Sequence, residues 1–306
     1  MDKLDFTLLK EVALMDSIPN GAYNIRKNGG SESRFSTDNV RIESKTDKEG
    51  ININIKSGTK GETVHIPVII TETDYQETVY NDFFIGDDCD VTIMAGCGIH
   101  NCGDGESRHD GVHTFYIGKN SIVRYAERHY GDGDGKGGKI MNPETVVYIG
   151  EGSTVQMDTT QIKGIDSTYR KTKIVVAKDG NAVVTEKLLT HGDQIAESDM
   201  DLILDGENAN GRIISRSVAQ NDSKQIFRPC ITGRAECFGH VRCDSILMDN
   251  AKISSIPAVA AEHTHANLVH EAAIGRIAGD QLIKLMTLGL TEEEAEEKIL
   301  EGFLGE

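Results

Sequence analysis

A motif that repeats at a fixed spacing is the feature of this sequence that most limits its possible folds. Three clear copies share one pattern, in which two strand-forming residues, a glycine and two turn residues precede a second strand: Phe84–Val91, Tyr116–Val123 and Tyr148–Val155. Three weaker copies follow, and the motif glycines of the clear copies and of the last two weaker ones are Gly86, Gly118, Gly150, Gly206 and Gly233. The first three are 32 residues apart, Gly206 follows Gly150 by 56 residues, or two steps of 28, and Gly233 follows Gly206 by 27. Such a period predicts a solenoid, because one unit cannot bury its apolar face without stacking on the next.

The strand-type sequence extends well beyond the motif itself. From about Phe35 to about Gly275, short runs of Val, Ile, Thr and Tyr are interrupted by Gly, Asn and Asp. We therefore predict a mainly β protein with a parallel β-helix core at residues 35–275. A barrel or a sandwich is the alternative, although a sandwich has shorter turn spacings and no single long period. We expect the motif glycines to form one row along an edge, because glycine accepts a positive φ in a turn.

Both ends of the chain have helical patterns. Apolar residues near the N-terminus recur at a helical period: Leu4, Leu8, Leu9, Val12 and Met15. They predict one amphipathic helix in an otherwise irregular segment, residues 1–34. In residues 276–306, a helix over Asp280–Leu288 would stop at Gly289, and the capping box Thr291–Glu294 would open a second helix. This predicted helical hairpin would cap the strand stack, bind a partner, or do both.

Composition and charge exclude several classes of function. The chain has 32 Lys and Arg residues against 49 Asp and Glu residues, a formal net charge of −17. Such a charge disfavours binding to nucleic acid and to anionic membrane surfaces. No apolar run is long enough to span a bilayer, and the start lacks the features of a secretory signal. We therefore expect a cytoplasmic protein whose six cysteines are thiols or metal ligands rather than disulfides.

The residues capable of chemistry do not form a conventional active-site motif. Cys97, His100 and Cys102 place soft metal ligands within six residues, but the other cysteines are scattered. Cys243 lies in a predicted strand, and His270 and Glu271 follow in another. Adjacent residues on a regular strand point to opposite faces, so the last two would share a site only at a turn or bulge. By spacing alone these residues are a core thiol and a polar pair.

The C-terminal half nevertheless resembles a known family. Several segments occur in a characteristic order: Ser215–Ala219, Arg242–Asp249, His270–Ile277, Asp280–Ile283, Gly289–Ala295 and Gly302–Phe303. Together they closely resemble the SufB/SufD family of iron–sulfur cluster assembly scaffolds, over roughly residues 84 to 304. The resemblance implies a right-handed parallel β-helix and a C-terminal helical segment that docks a SufC-like ABC ATPase. The sequence looks like a short form of SufB, because it retains a Cys and a Glu that SufD usually lacks together.

The resemblance also implies roles for single residues. Cys243 matches a cluster-assembly thiolate of SufB, and His270 and Glu271 match the residues near that thiolate at the subunit interface. Cys97 is a further candidate ligand, since SufB often has Glu-Gly-Cys where this sequence has Ala95-Gly-Cys97. Apolar residues of the helical hairpin are the predicted ATPase-binding anchors: Leu282, Leu285, Met286, Ile299, Leu300 and Phe303.

We therefore expect a non-enzymatic scaffold subunit of a SUF-type assembly complex. It would build a transient iron–sulfur cluster at a subunit interface, in a homodimer or with a SufD-like partner, and ATP hydrolysis would belong to the ATPase. A cluster of this kind would be absent from an aerobically prepared sample. The alternative is a β-helix hydrolase or lyase acting on carbohydrate. Such an enzyme needs paired carboxylates, and the sequence offers no convincing pair.

Overall fold

The computed structural model of this protein describes residues 1–305, apart from the side chains at positions 162 and 163. It is mainly β, with 57% of residues in strands and a β-solenoid of about 8 turns, as the repeat predicted. The helices are α1 (Lys3–Ala13), α2 (Gly279–Met286) and α3 (Glu292–Leu304). The strands are β1 (Ala22–Lys27), β2 (Gly30–Phe35), β3 (Val40–Ser44), β4 (Gly50–Ile55), β5 (Lys60–Ile70), β6 (Gln76–Ile85), β7 (Asp90–His100), β8 (Ser107–Ile117), β9 (Ile122–Asp132), β10 (Lys139–Met141), β11 (Glu144–Ile149), β12 (Thr154–Lys163), β13 (Ser167–Val176), β14 (Asn181–Thr190), β15 (Ile195–Leu204), β16 (Ala209–Ala219), β17 (Lys224–Gly233), β18 (Cys237–Leu247), β19 (Lys252–Ser255), β20 (Ala258–Ala261) and β21 (Ala266–Gly275).

Successive strands alternate between two sheets. The first sheet has the order β2-β1-β5-β7-β9-β12-β14-β16-β18-β21, and the second runs from β3 and β4 to β17 and β19. Pairing is parallel throughout the repeat, and among the described strands only the hairpins β1–β2 and β3–β4 at the N-terminal end are antiparallel. Each strand therefore lies beside the strand one turn earlier and one turn later. Residues about 27 to 32 positions apart become direct neighbours, such as Ala126 and Asp158, or Ser215 and Cys243.

The space between the two sheets is the core. Alternate residues of each strand point inward, and the aliphatic ones form one continuous cluster along the helix axis. Phe83 and Phe115 stack there with ring centroids 4.2 Å apart. The interior also holds many polar side chains, including Glu127, Arg170 and Glu186. Buried charged side chains are unusual in a protein core unless they are paired.

The motif glycines only partly form the predicted row. Gly86, Gly118 and Gly150 stack on one another, but none has a positive φ. Glycine is required instead because the backbones of successive turns lie too close for a side chain. A Cβ on Gly118 would lie 2.7 Å from the Gly86 carbonyl carbon, and one on Gly150 would lie 2.3 Å from the Gly118 oxygen. The left-handed conformation falls two residues later: Asp88, Asn120 and Gly152. The prediction that a positive φ explains these three glycines was therefore wrong.

The two later motif glycines leave the row. The strand register aligns Ile149 with Val176, Leu204 and Gly233, so the positions equivalent to Gly150 are the residues that follow each of these. Gly206 thus lies one residue after its expected place, and Gly233 lies one residue before it. The nearly constant sequence spacing had suggested that these glycines are equivalent. The equivalence fails because the number of residues per turn of the solenoid differs between rungs.

The predicted terminal helices are present and pack outside the first sheet. α1 lies on β5, β7 and β9, where the side chains of Leu8 and Val12 sit over Gly96 and Gly98. The strands begin before residue 35, since β1 and β2 pair with each other and β1 also pairs with β5. At the other end, α2 and α3 form a hairpin, and Thr291 and Glu294 make the predicted capping box. Within the described residues, no helix is long and apolar enough to cross a membrane.

Candidate functional site

Cys243 and His270 lie side by side on the last two strands of the first sheet. β18 and β21 pair in parallel, with Val241 opposite His270 and Cys243 opposite Ala272. Both side chains point toward the interior of the β-helix, and Cys243 Sγ is 3.6 Å from His270 Nε2. The fold thus brings together two of the predicted site residues, which are separated by one turn of the solenoid.

Glu271 lies on the other face of the same strand. In the strand register Glu271 lies opposite Arg242 of β18. Its side-chain oxygen Oε2 is 3.5 Å from Nε2 of His240, which is on the same outer face. β21 is regular here, so no bulge turns Glu271 toward Cys243. Across residues 1–305, no three His, Cys, Asp or Glu side chains are grouped closely enough to hold a metal ion. One copy of the chain therefore offers a soft two-ligand set, Cys243 and His270.

Burial controls the protonation of these two ligands. Burial raises the pKa of the Cys243 thiol to about 11, against an opposing effect from the Ser255 hydroxyl. Burial also lowers the pKa of His270, and neighbouring His240 acts in the same direction. At neutral pH the pair is therefore a thiol and a neutral imidazole. Iron binding would have to release the thiol proton, because the metal ligand is the thiolate.

A narrow cavity with both polar and apolar walls adjoins Cys243 inside the β-helix. Its volume is about 10 Å³, close to the space of one water molecule. The polar residues that line it are Glu186, Ser198, Ser215, Ser217, Gln225, Ser245 and Ser255. Glu186 accepts hydrogen bonds from the hydroxyls of Ser198 and Ser215 at 2.8 and 3.1 Å. The hydroxyl and amide groups are weak ligands for iron, and both oxygens of the Glu186 carboxylate are engaged by Ser198 and Ser215. Cys243 and His270 are therefore the principal donors.

Cys97 lies in a different part of the interior. It is on β7, five strand spacings from β18, which corresponds to about 24 Å along the axis. Its side chain is 2% exposed, and burial raises the pKa of its thiol well above the usual value, with Glu77 and Glu127 acting in the same direction. Cys97 and Cys243 of one chain therefore cannot bind the same small cluster.

The surroundings of Cys97 contain an ionisable network. Glu127 forms a buried ion pair with Arg170 and lies 3.4 Å from His129 Nε2. Next to it, His113 Nδ1 is 2.8 Å from the Tyr125 hydroxyl, and Nε2 accepts a hydrogen bond from the Asn81 amide at 3.3 Å. Burial lowers the pKa of His113 to about 4, although Glu127 opposes this shift. The imidazole is therefore neutral in the folded protein at pH 7.

This network predicts a loss of stability in mild acid. The unfolded chain binds a proton at His113 near pH 6.5, whereas the folded chain binds it only near pH 4. Between these values the unfolded state holds more protons, so stability falls as the pH falls. From pH 7 to pH 5, His113 alone should lower the free energy of unfolding by about 2 kcal/mol. Urea unfolding at both pH values measures this difference.

Two variants isolate the contribution of His113. His113→Gln should lose about 2 kcal/mol less than the wild type between pH 7 and pH 5. His263→Gln is the matched control, because His263 is an exposed imidazole in the turn before β21. An equal acid loss in His113→Gln and wild type would show that His113 is not the titrating group.

The strand that carries His270 and Glu271 is also an open edge of the fold. β21 ends the first sheet, and among residues 1–305 only β18 pairs with it. Its ten residues are mostly exposed, including Val269 at 36% and Ile274 at 46%. A long regular edge strand with unpaired backbone groups is a template for pairing with another chain. The candidate ligands thus lie beside this open edge.

The predicted ATPase-binding anchors divide into two groups. Leu300 is buried and packs with Leu304 against Val218 of β16, and Phe303 is half-buried at the same contact. The others are on the hairpin surface to different degrees, with Leu282, Leu285 and Ile299 half-buried and Met286 42% exposed. The two most exposed apolar residues of the hairpin, Ile283 at 63% and Leu288 at 77%, were not among the predicted anchors.

The sequence contained a signal that would have paired Cys243 with His270. The two residues are 27 positions apart, and the register pairs Cys243 with Ala272, 29 positions away. A separation close to the repeat period means that two residues occupy neighbouring rungs. Glu186 carries the same signal at two repeats, because the register places Ser215 between it and Cys243. Ser255, which also contributes to the surroundings of Cys243, carries no such signal because it lies less than one repeat from Cys243.

Comparisons with known proteins agree with this architecture. The family model for the SufBD core domain, of SUF-system iron–sulfur cluster assembly, matches residues 68–303. An iron–sulfur cluster assembly SufBD family protein of Methanocaldococcus jannaschii is 31% identical over 255 residues, covering 82% of this chain and 79% of the relative. A SufBD family protein of Archaeoglobus fulgidus is 27% identical over 263 residues, or 84% and 69% of the two chains. A chloroplastic SufBD family protein of Arabidopsis thaliana is 27% identical over 222 residues, or 70% and 40%.

Proposed function

The chain belongs to the SufBD family of iron–sulfur cluster assembly proteins, and on this basis we propose that it is a scaffold on which iron and sulfide assemble into a transient cluster. The observation that carries the proposal is the contact between Cys243 and His270, 3.6 Å apart beside an open edge. Thiolate and imidazole both bind iron. Because one chain supplies only these two donors, the cluster is held incompletely and can be released to a client protein.

The second half of the ligand set would come from a second subunit. Pairing of two β21 strands about a two-fold axis would duplicate Cys243 and His270 around one interface. The exposed edge of β21 supports this arrangement, as do the apolar side chains of Val269 and Ile274 on it. Glu271, which faces away from its own Cys243, would then be available at the interface as a harder oxygen ligand. The second subunit is another copy of this chain or a SufD-like protein.

The complex would work in the cytoplasm with a SufC-like ABC ATPase. The exposed apolar residues of the C-terminal hairpin, Ile283, Met286 and Leu288, support docking of a partner there. α3 contacts β16, which lies beside β18 and Cys243, so movement of the hairpin would act on the strands next to the assembly site. In this proposal the scaffold subunit is not an enzyme, and ATP is hydrolysed by its partner.

Anaerobic reconstitution tests the scaffold function. The full chain, reduced and supplied with ferrous iron and sulfide, should gain visible charge-transfer absorption and bind iron and sulfide in similar amounts. Light scattering should show a dimer, because one chain provides too few ligands. A protein that bound neither iron nor sulfide under these conditions, while remaining folded, would contradict the proposal.

A further inference from the structure

Cys102 differs from the other five cysteines because it is exposed, whereas the others are buried or half-buried. It lies in the short loop between β7 and β8, five strands away from β18 and Cys243. Its Sγ is 3.0 Å from Nε2 of His100. An imidazole at this distance can take the proton of a thiol, and the resulting thiolate is the reactive form of cysteine.

A carboxylate lies behind this imidazole. His100 is the last residue of β7, and the strand register places it directly opposite Asp132, the last residue of β9. His100 Nδ1 is 3.8 Å from Asp132 Oδ2 and has no hydrogen-bond partner. This distance is too long for a hydrogen bond, so the carboxylate lies near the imidazole without binding it. Cys102, His100 and Asp132 thus follow one another in the order thiol, base and carboxylate.

The loop holds the thiol in a fixed position. Asn101, which is fully buried, donates from its amide to the carbonyls of Gly105 at 2.8 Å and Gly137 at 3.2 Å. Its side-chain oxygen accepts from the Gly103 amide at 3.0 Å. These bonds clamp the residues on both sides of Cys102, so little conformational entropy is lost when the thiol reacts.

We propose that Cys102 is a reactive surface thiol that forms mixed disulfides by thiol–disulfide exchange, with His100 as its base. Sγ of Cys102 attacks one sulfur of a low-molecular-weight disulfide. The S–S bond of the reagent breaks as the new S–S bond forms, and the departing thiolate receives the proton that His100 removed from Cys102. The disulfide is the oxidant: one half of it becomes bound to Cys102, and the other half is reduced to a thiol.

The test uses the reduced full chain and bis(hydroxyethyl) disulfide, a neutral reagent that the net charge of −17 does not repel. Peptide mapping by mass spectrometry should find the adduct on Cys102, and Cys102→Ser should abolish it. At pH 7, His100→Gln should react about tenfold more slowly, because an unassisted thiol is only a few per cent thiolate. His263→Gln, the control for loss of an exposed imidazole, should react like the wild type.

A measurement at pH 10 separates proton transfer from positioning. Hydroxide then removes the thiol proton, so His100→Gln should react as fast as the wild type. Three results would overturn the proposal: an adduct that forms mainly on another cysteine, a wild-type rate in His100→Gln at pH 7, or a slow rate in that variant at pH 10. Circular dichroism of each variant confirms that the fold is retained.

Discussion

Cys243→Ser is expected to abolish the iron–sulfur absorption of the reconstituted protein while leaving the fold intact. Serine has nearly the same shape as cysteine, but its hydroxyl is a poor ligand for iron. The new hydroxyl would lie in a cavity already lined by Ser215, Ser217 and Ser245, so a buried polar group there has partners within reach. Visible absorption and iron content per chain measure the loss, and urea unfolding verifies the fold.

Cys89→Ser is the matched control for this experiment. Cys89 is also a fully buried thiol, but it lies between β6 and β7, in the N-terminal half of the β-helix. Its Sγ donates to the carbonyl of Lys56 at 3.2 Å, a bond that a serine hydroxyl can reproduce. This variant should bind iron like the wild type. If Cys243→Ser kept its full cluster, Cys243 would not be the assembly thiolate.

The double substitution Ile283→Asp and Leu288→Asp is expected to prevent capture of a SufC-like ATPase. The two side chains are 63% and 77% exposed, so the substitutions should not disturb the fold. In a docked complex the two new carboxylates would be unpaired charges buried in an apolar contact. If each costs about 2 kcal/mol, the double variant binds about 1000-fold more weakly. Titration of the purified ATPase against the full-length chain, with and without nucleotide, measures this change.

Leu14→Asp provides the control for the docking experiment. Leu14 is also an exposed leucine, at 61%, and follows α1, far along the chain from the hairpin. Its left-handed backbone, with φ of 54°, is one that aspartate tolerates. Unchanged affinity in the hairpin variant would mean that the ATPase docks elsewhere. Point substitutions are preferable to deletion after Gly279, because deletion would uncover Val218, which Leu300 and Leu304 now cover.

The β-helix itself was predictable from the sequence. Each motif copy has a strand, a tight turn and a second strand at a nearly constant spacing, and a parallel stack is the arrangement that repeats such a unit indefinitely. The terminal helices were predictable for the same kind of reason, since α1 and the Thr291–Glu294 capping box depend on residues close in sequence. The exact rung register was not predictable, because Gly206 and Gly233 shift by one residue in opposite directions.

The candidate site was only half determined by the sequence. The family resemblance selected Cys243, His270 and Glu271, but it could not say that Glu271 points away from the other two. That outcome depends on β21 being regular beside β18, which puts neighbouring residues on opposite faces. The hairpin behaves similarly: Leu300 and Ile283 look alike in a helical pattern, yet packing against Val218 buries the first and leaves the second exposed.

The positions of the helices and strands therefore follow from the sequence alone, whereas the tertiary structure decided which side chains lie close together. Periodicity and caps depend on neighbours along the chain, so they can be read without coordinates. The contact of Cys102 with His100 depends on the conformation of the loop after β7. The contact of Cys243 with His270, and the placement of His100 beside Asp132, depend on which strands become neighbours and which side chains share a face. Those two relations arise only when the rungs stack, because stacking converts a separation of about one repeat into a few ångströms.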